Sequence, residues 1–209
     1  MRASPRSVLA VVVVTSVLLL YGGPRLGSSG GMSEREQKLL RLWYSGADSV
    51  HEWGMGASTL IAARSGVARL TAVDSSLVWV EKMRGAMPAT PAAYTLIHAD
   101  IGPVVEWGHP ADDTHKAQWP SYSTVRGAEP FDIYLVDGRF RVACAARALL
   151  HGRPDSLVLV HDFGRAEYQV LLKIADKVEQ VGVLAVLRRK DSVTDEAIEL
   201  VWRYYNLIP

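Results

Sequence analysis

From residue 33 onward, short apolar runs alternate with stretches in which apolar residues recur at helical spacing. The apolar runs predict strands at 70–73, 94–99, 131–136 and 157–160, and a less apolar run at 50–53 is assigned as a strand from its context. The capping-box spacing of Ser33 and Glu36 predicts a first helix, and others are predicted at 58–66, 76–84, 140–150 and 166–181. This alternation indicates an α/β fold with a three-layer, doubly wound, mostly parallel sheet.

The end of the chain follows a different pattern. Two apolar segments, 183–187 and 198–204, flank a polar stretch. Apolar runs separated by a polar turn are typical of paired neighbouring strands. We therefore expect a C-terminal antiparallel hairpin.

The N-terminal residues differ from the rest of the chain. Arg2 and Arg6 precede an uncharged apolar run at 8–21, and a Gly/Ser-rich linker follows at 27–31. The run is shorter than the ~20 residues of a full transmembrane helix and fits a signal-peptide core, yet no good cleavage site follows it. We expect an apolar helix outside the fold. Residues 1–31 would then be a signal anchor or signal peptide with its linker, and 32–209 the folded domain.

The same segment predicts a location. Arginines ahead of the apolar run would keep the N-terminus cytoplasmic, so we expect a single-pass membrane protein of the secretory pathway with a lumenal domain. One alternative is a secreted protein. The other is an organelle-imported protein, because no acid occurs in residues 1–30.

Net charge and cysteine content argue against nucleic-acid binding and against an internal disulfide. A net charge of +1 over 209 residues gives no indication of nucleic-acid binding. Cys144 is the only cysteine, so no disulfide can form within the chain. It lies in an alanine-rich helical run, where we expect a buried structural thiol.

The stretch from Val50 to Thr59 organises the domain. It predicts a strand, a turn at Gly54 and Gly56, and the start of a helix. Glycines let backbone amides approach a ligand closely, and the positive end of the helix dipole points into the same crevice. Asp74 ends the next apolar run, at about the spacing of 20 residues from the glycines where such folds hold the hydroxyls of a ribose. Together these features indicate a cofactor that contains a nucleoside.

The residues around the glycines distinguish between cofactors. A dinucleotide motif places a third glycine where this chain has Thr59. Glu52 precedes the glycine pair, and a carboxylate there would repel a pyrophosphate but attract an ammonium or sulfonium group. The order acid-x-Gly-x-Gly resembles the first motif of class I S-adenosylmethionine-dependent methyltransferases. The E-x-G-x-G-x-S-T form, with Val-Asp-Gly-Arg-Phe-Arg at 136–141, resembles a group of small Rossmann-like predicted methyltransferases.

This resemblance spans about 33–205 and implies S-adenosyl-L-methionine as the cofactor. It also implies the same antiparallel ending of the sheet. Glu52, Gly54 and Gly56 would line the methionine part, with Ser58 as the third small position of the motif. Asp74 would hold the ribose, and Asp100 with Ile101 would meet the adenine.

Polar residues follow most of the predicted strands, and the carboxyl ends of parallel strands share one edge of the sheet. Asp137 and His161 are the candidates for the base that takes a proton from the acceptor. A purely structural role for His161 is the alternative. A divalent metal held by Asp137 and Asp162 is a second way of activating a hydroxyl.

Four further residues are candidates for binding the substrate. Arg139 and Arg141 lie at a predicted helix N-terminus, where cations are disfavoured, and this placement suggests an acidic substrate group. The alternative is a salt bridge to Asp132 or Asp162. Trp107 and Trp119 lie in a long segment, 102–130, which could form a lid or an acceptor platform, or simply be anchored by these rings.

The sequence thus predicts methyl transfer from S-adenosylmethionine to a small-molecule or saccharide acceptor, at a hydroxyl. Membrane contact is expected only through the N-terminal segment. The alternatives are a Rossmann-like nucleoside-binding domain without transferase activity, and a nucleotide-dependent oxidoreductase.

Overall fold

The computed structural model describes residues 31–89 and 92–209. Residues 32–209 form one compact unit. The predicted N-terminal apolar helix and signal anchor fall on residues 1–30, outside the described part, and stay predictions. No helix among the described residues is long and apolar enough to cross a membrane.

The domain contains one seven-stranded sheet with helices on both faces. The strands are β1 Ser49–Trp53, β2 Arg69–Asp74, β3 Ala93–His98, β4 Ile133–Val136, β5 Leu157–Val160, β6 Ala175–Val181 and β7 Leu184–Arg189. The α-helices are α1 Glu34–Tyr44, α2 Ala57–Arg64, α3 Leu77–Ala86, α4 Arg141–His151 and α5 Asp195–Tyr205. The strand order is β3-β2-β1-β4-β5-β7-β6. Strands β1 to β5 are parallel and β7 is antiparallel to both neighbours, so the predicted α/β class and mostly parallel sheet are confirmed.

The centre of the sheet is buried on both sides. One face packs on α1 and α2, and the other packs on α4, α5 and the segment between β3 and β4. Strand β1 lies between β2 and β4, and all five of its residues are buried, including His51 and Glu52. Strand β1 is therefore a central strand of the sheet, although few of its residues are apolar.

The C-terminal part differs from the prediction. Residues 166–181 do not form one helix: a 3₁₀ helix, Ala166–Lys173, is followed by the edge strand β6. An antiparallel hairpin is present near the C-terminus, as predicted, but it is formed by β6 and β7. The predicted pairing of 183–187 with 198–204 is wrong, because 198–204 lies within α5. Gly182 makes the β6–β7 turn at φ +59, and the Thr194 hydroxyl caps α5 by accepting from Ala197 N. The exposed, polar β6 lacks the apolar run by which buried strands are recognised.

The long segment between β3 and β4 is folded onto the domain. It contains two 3₁₀ helices, Glu106–Gly108 and Asp113–Ser121. Trp119 and Tyr122 are buried in the core against Phe140, with ring centroids 5.7 and 5.5 Å away. Trp107, by contrast, is 65% exposed. The two tryptophans therefore have different roles, which their sequence context does not distinguish.

Substituting alanine for each tryptophan tests this packing. Trp119→Ala is expected to lower the free energy of unfolding by about 3–5 kcal/mol, the usual cost of truncating a large buried side chain. Trp107→Ala, at an exposed position, should change it by no more than about 0.5 kcal/mol. Urea titration of the two full-length variants measures both values. Equal denaturation midpoints would contradict the core position of Trp119.

Candidate active site

The turn after β1 is fixed by contacts with the ends of β2 and β4. Gly54 has φ +92, and a Cβ on it would lie 2.6 Å from Gly138 N, so the two backbones are in direct contact. Met55 N donates to Asp74 Oδ2 at 3.0 Å, and the Met55 carbonyl accepts from Trp79 Nε1 at 2.7 Å. The structure thus brings the glycine turn and Asp74 together, as the sequence predicted. Trp79 supports the turn from α3.

Glu52 lies beneath this turn and is completely buried. Its Oε1 accepts from the Tyr44 hydroxyl at 2.9 Å, whereas Oε2 has no hydrogen-bond partner among the described residues. Burial raises the pKa of Glu52 to about 7, although the hydroxyl groups of Thr59 and Tyr44 nearby act in the opposite direction. A half-satisfied buried carboxylate is costly, which makes this an anionic position that a cationic ligand group would stabilise.

Gly56, which precedes α2, leaves open space above the turn. A Cβ built on Gly56 would meet nothing within 4 Å. Its amide donates to Thr59 Oγ1 at 3.0 Å, so Thr59, the residue in the place of a third glycine, fixes the start of the helix. Ser58 is buried beside it in the first turn of α2.

The carboxylate of Asp74 is held by backbone amides. Besides Met55 N, it accepts from Ser76 N at 2.9 Å through Oδ1. Burial raises the pKa of Asp74, and the amides of Ser76 and Met55 oppose that shift. The neighbouring Ser75 hydroxyl donates to Gly108 O at 2.8 Å, so the segment between β3 and β4 passes directly beside Asp74.

The predicted adenine-binding pair is split between surface and core. Asp100 is exposed, and its Oδ1 accepts from Gly102 N at 3.0 Å. Ile101 is buried in the core with an exposure of 1%. Both follow β3, on the side of β2 away from β1.

At the ends of β4 and β5, an ionic cluster surrounds His161. Its Nδ1 lies 3.1 Å from Asp137 Oδ1, and its buried Nε2 lies 3.7 Å from Glu36 Oε2. Burial lowers the pKa of His161, but the hydrogen bond and charge of Asp137 outweigh it, and the net pKa is raised. A histidine with acids on both sides is stabilised as a cation. That Glu36 reaches this cluster could not be predicted, because its spacing from Ser33 already explained it as part of a helix cap.

Arg141 is a buried structural cation at the start of α4. Its guanidinium donates to the carbonyls of Gly138, His161 and Asp137 at 2.9, 2.8 and 3.1 Å. It also lies 3.2 Å from Asp137 Oδ1 and 3.1 Å from Asp162 Oδ2. Arg141 therefore forms the salt bridge to Asp162 that was one of the predicted alternatives. The other predicted partner, Asp132, pairs with Arg153 instead. With its donors used internally, Arg141 connects the ends of β4 and β5.

This arrangement does not fit a divalent metal. The guanidinium of Arg141 bridges Asp137 and Asp162, the two carboxylates that would hold the ion. Within residues 31–89 and 92–209, no group of three or more His, Cys, Asp or Glu side chains has a geometry that could hold a metal ion.

The remaining predicted substrate residues are separated. Arg139 is partly buried, and its Nη1 contacts His109 Nε2. Trp107 is exposed and Trp119 lies in the core, so Trp119 presents no ring to a ligand at the surface.

Comparisons with known proteins agree with this architecture. No protein-family model matches the sequence, and no protein of curated function is significantly similar to it in sequence. Among solved structures, the chain is similar to a methyltransferase-like protein from Silicibacter pomeroyi. The two share 26% sequence identity and a TM-score of 0.75, over 88% of this chain and 97% of that one. The chain belongs to the Rossmann-like methyltransferase superfamily.

A more distant neighbour supports the fold alone. The N-methyltransferase NodS from Bradyrhizobium japonicum has 17% sequence identity and a TM-score of 0.50, over 76% of this chain and 96% of that one. Membership of the Rossmann-like methyltransferase superfamily thus agrees with the sheet order, in which the antiparallel strand β7 lies next to β5, the last of the five parallel strands.

Sequence reasoning missed two tyrosines that shape this superfamily member's site. Tyr44 donates to Glu52 from α1, and the Tyr122 hydroxyl accepts from Arg139 N at 3.3 Å beside Gly138. Both are fully buried, and burial raises the pKa of each phenol well above its usual value. Both therefore remain neutral phenols. Neither belongs to a recognisable motif, so only the folded structure reveals them.

Proposed function

We propose that this protein transfers a methyl group from S-adenosylmethionine to a hydroxyl of a small-molecule or saccharide acceptor. The observation that carries the proposal is Glu52, which is fully buried beneath a glycine turn with Oε2 unpartnered among the described residues. A ligand that brings an ammonium group to this position would compensate the charge, whereas a pyrophosphate would be repelled. The similar protein from Silicibacter pomeroyi, named methyltransferase-like, supports the same activity.

The chain's own residues fit the cofactor at three points. Glu52 would face the amino-acid part, Gly56 leaves room for close approach, and Asp74 would accept hydrogen bonds from the ribose hydroxyls. The Asp74 oxygens already accept one amide each, and a carboxylate oxygen has two acceptor sites, so capacity remains. Bound S-adenosylmethionine supplies an electrophilic methyl group whose carbon–sulfur electron pair stays on sulfur.

The chain must also remove a proton from the acceptor hydroxyl as its oxygen bonds to carbon. In this proposal Asp137 accepts that proton, and its side chain, which is 28% exposed at the end of β4, supports the assignment. His161 is a positioning residue in this proposal: its Nδ1 holds Asp137, and its Nε2 points towards Glu36. Much of the rate would come from alignment of the acceptor with the methyl group.

Isothermal titration of the full chain with S-adenosylhomocysteine tests the cofactor assignment. We expect micromolar binding by the wild type. Asp74→Ala removes two acceptors for the ribose and should weaken binding by about 100-fold or more, since hydrogen bonds to a charged group contribute roughly 1.5–3 kcal/mol each. Asp191→Ala, an exposed change in the turn after β7, is the matched control.

Two results would contradict the assignment. Absence of binding to the wild type would remove the cofactor proposal. Equal affinity for the wild type and Asp74→Ala would remove Asp74 from the site. Melting temperatures of both variants separate loss of the ligand contact from loss of the fold, because Asp74 also fixes Met55 and Ser76.

A further inference from the structure

A small cavity lies beside the glycine turn, on the side of β4. It has a volume of about 110 Å³ and is lined in part by Gly138, Arg139, His109, Arg165 and Tyr205. Its walls therefore come from the segment after β3, the β4–α4 turn, the 3₁₀ helix after β5 and the C-terminus. Gly138 also contacts Gly54, so the cavity adjoins the place proposed for the methionine part of the cofactor.

Arg139 is the cation in this cavity without an acidic partner. Its Nη1 contacts His109, which accepts through Nε2 and is therefore neutral. Its Nε is buried and has no hydrogen-bond partner, and no carboxylate of the described residues forms an ion pair with it. Burial and the charge of Arg141 both lower the pKa of Arg139. Asp74 attracts Arg139 only from beyond ion-pair distance.

The other two arginines of the cavity are already neutralised. Arg141 lies against Asp137 and Asp162, and Arg165 Nη2 lies 2.7 Å from Asp162 Oδ2. Arg165 is nevertheless 51% exposed and retains free donors at the rim. The excess positive charge is thus localised on Arg139.

The start of α4 adds a second feature that attracts anions. Phe140 precedes the helix in the left-handed conformation, φ +52, and provides no side-chain hydrogen bond to the helix amides. Phe140 and Val142 both line the cavity. Positive partial charge at a helix N-terminus favours an anion, and Arg139 stands next to it in the chain.

Two anionic groups oppose this field, because Pro209 lines the cavity with the C-terminal carboxylate and Glu167 lines it with its side chain. Glu167 is exposed. It lies at the rim, and it is not within ion-pair distance of Arg139. Its negative charge should weaken the binding of an anion, and this gives the test a variant that acts in the opposite direction.

We infer that this cavity binds an anionic oxygen group of the acceptor, a carboxylate or a phosphate, through Arg139 with help from Arg165 at the rim. The inference rests on the proposed function for its claim that the anion belongs to a methyl acceptor. The planar guanidinium donates to two oxygens at once, which suits either group. A volume of about 110 Å³ is several times the ~30 Å³ share of a water molecule, so such a group fits. The structure thus assigns Arg139 to the ligand and Arg141 to the fold.

Anion titrations of the full-length protein test this inference. Inorganic phosphate and sodium acetate are titrated against sodium chloride at constant ionic strength, with the melting temperature as the readout. At least one of the two anions should stabilise the wild type saturably, since a ligand of the folded state raises its stability with concentration. The more effective anion identifies the group.

Variants then locate the site. Arg139→Met should raise the midpoint of the anion response about tenfold, and Arg139→Lys should lie between it and the wild type. Glu167→Gln should lower the midpoint. Arg64→Met, an exposed change at the end of α2, should leave it unchanged.

The outcomes separate this inference from the proposed function. No saturable response to either anion, or the same response in the wild type and Arg139→Met, would overturn the inference. Wild-type protein that responds to phosphate but does not bind S-adenosylhomocysteine would contradict the proposed function alone. Binding of S-adenosylhomocysteine without an anion response would contradict this inference alone.

Discussion

Replacing Glu52 with glutamine is expected to make the protein more stable and its binding of S-adenosylhomocysteine weaker. The pKa of about 7 against a usual value of 4.5 corresponds to roughly 3 kcal/mol of destabilisation once Glu52 is ionised. Glutamine avoids the charge but leaves an amide group partly unpaired, so we expect a net gain of roughly 2 kcal/mol at pH 8. For a domain of this size, that gain would raise the melting temperature by about 5 °C.

The sign of the pH dependence follows from the raised pKa. Folded protein holds the Glu52 proton more tightly than unfolded protein does, so protonation of Glu52 stabilises the folded wild type. That contribution is fully present below about pH 4.5 and is lost as the pH rises through about 7. The stability difference between Glu52→Gln and the wild type should therefore grow between these two pH values and then level off. Denaturant titrations at several pH values measure it.

Ligand binding should show the opposite trend. An ammonium group beside Glu52 favours the ionised carboxylate, so the wild type should bind S-adenosylhomocysteine about tenfold more tightly at pH 8 than at pH 6. His161 and Asp74 also have raised pKa values, and the variant isolates the part due to Glu52. Glu52→Gln should flatten the profile and lose affinity mainly at pH 8. A variant with wild-type affinity and slope would show that no cation approaches Glu52.

The central part of this site could be predicted because it is local in sequence. Glu52, Gly54 and Gly56 occupy one turn, and Asp74 ends the next strand, so a parallel sheet necessarily brings them to one edge. The same argument placed Asp137 and His161 together at the ends of β4 and β5. Alternating strands and helices sufficed for both inferences.

What the sequence did not reveal depends on distant contacts. Arg139 and Arg141 are two residues apart and look equivalent, yet one is fully paired and the other is not, because only Arg141 reaches Asp162 and the end of β5. Trp107 and Trp119 differ in the same way, through packing against Phe140. Strand β6 was missed because it is polar and lies at the edge, where pairing with β7 stabilises it more than burial does.

The two glycines of the turn are expected to respond differently to alanine. Gly54 has φ +92, and its Cβ would lie 2.6 to 2.8 Å from backbone atoms of Gly138 and Asp137. Neither backbone can move without separating β1 from β4, so Gly54→Ala should cost more than about 3 kcal/mol or prevent folding. Circular dichroism melts of the full chain measure this loss.

Gly56→Ala is the matched variant, two residues further along the same turn. Its Cβ meets no protein atom within 4 Å, so the fold should lose less than about 1 kcal/mol. That Cβ would instead occupy the open space beside the turn, where the amino-acid part of the cofactor is proposed to approach. Affinity for S-adenosylhomocysteine should therefore fall by about tenfold or more, roughly 1.4 kcal/mol, although the protein melts almost as the wild type does. Undiminished affinity would mean that the ligand does not approach the turn at Gly56, and the pocket would then have to lie elsewhere along the strand ends.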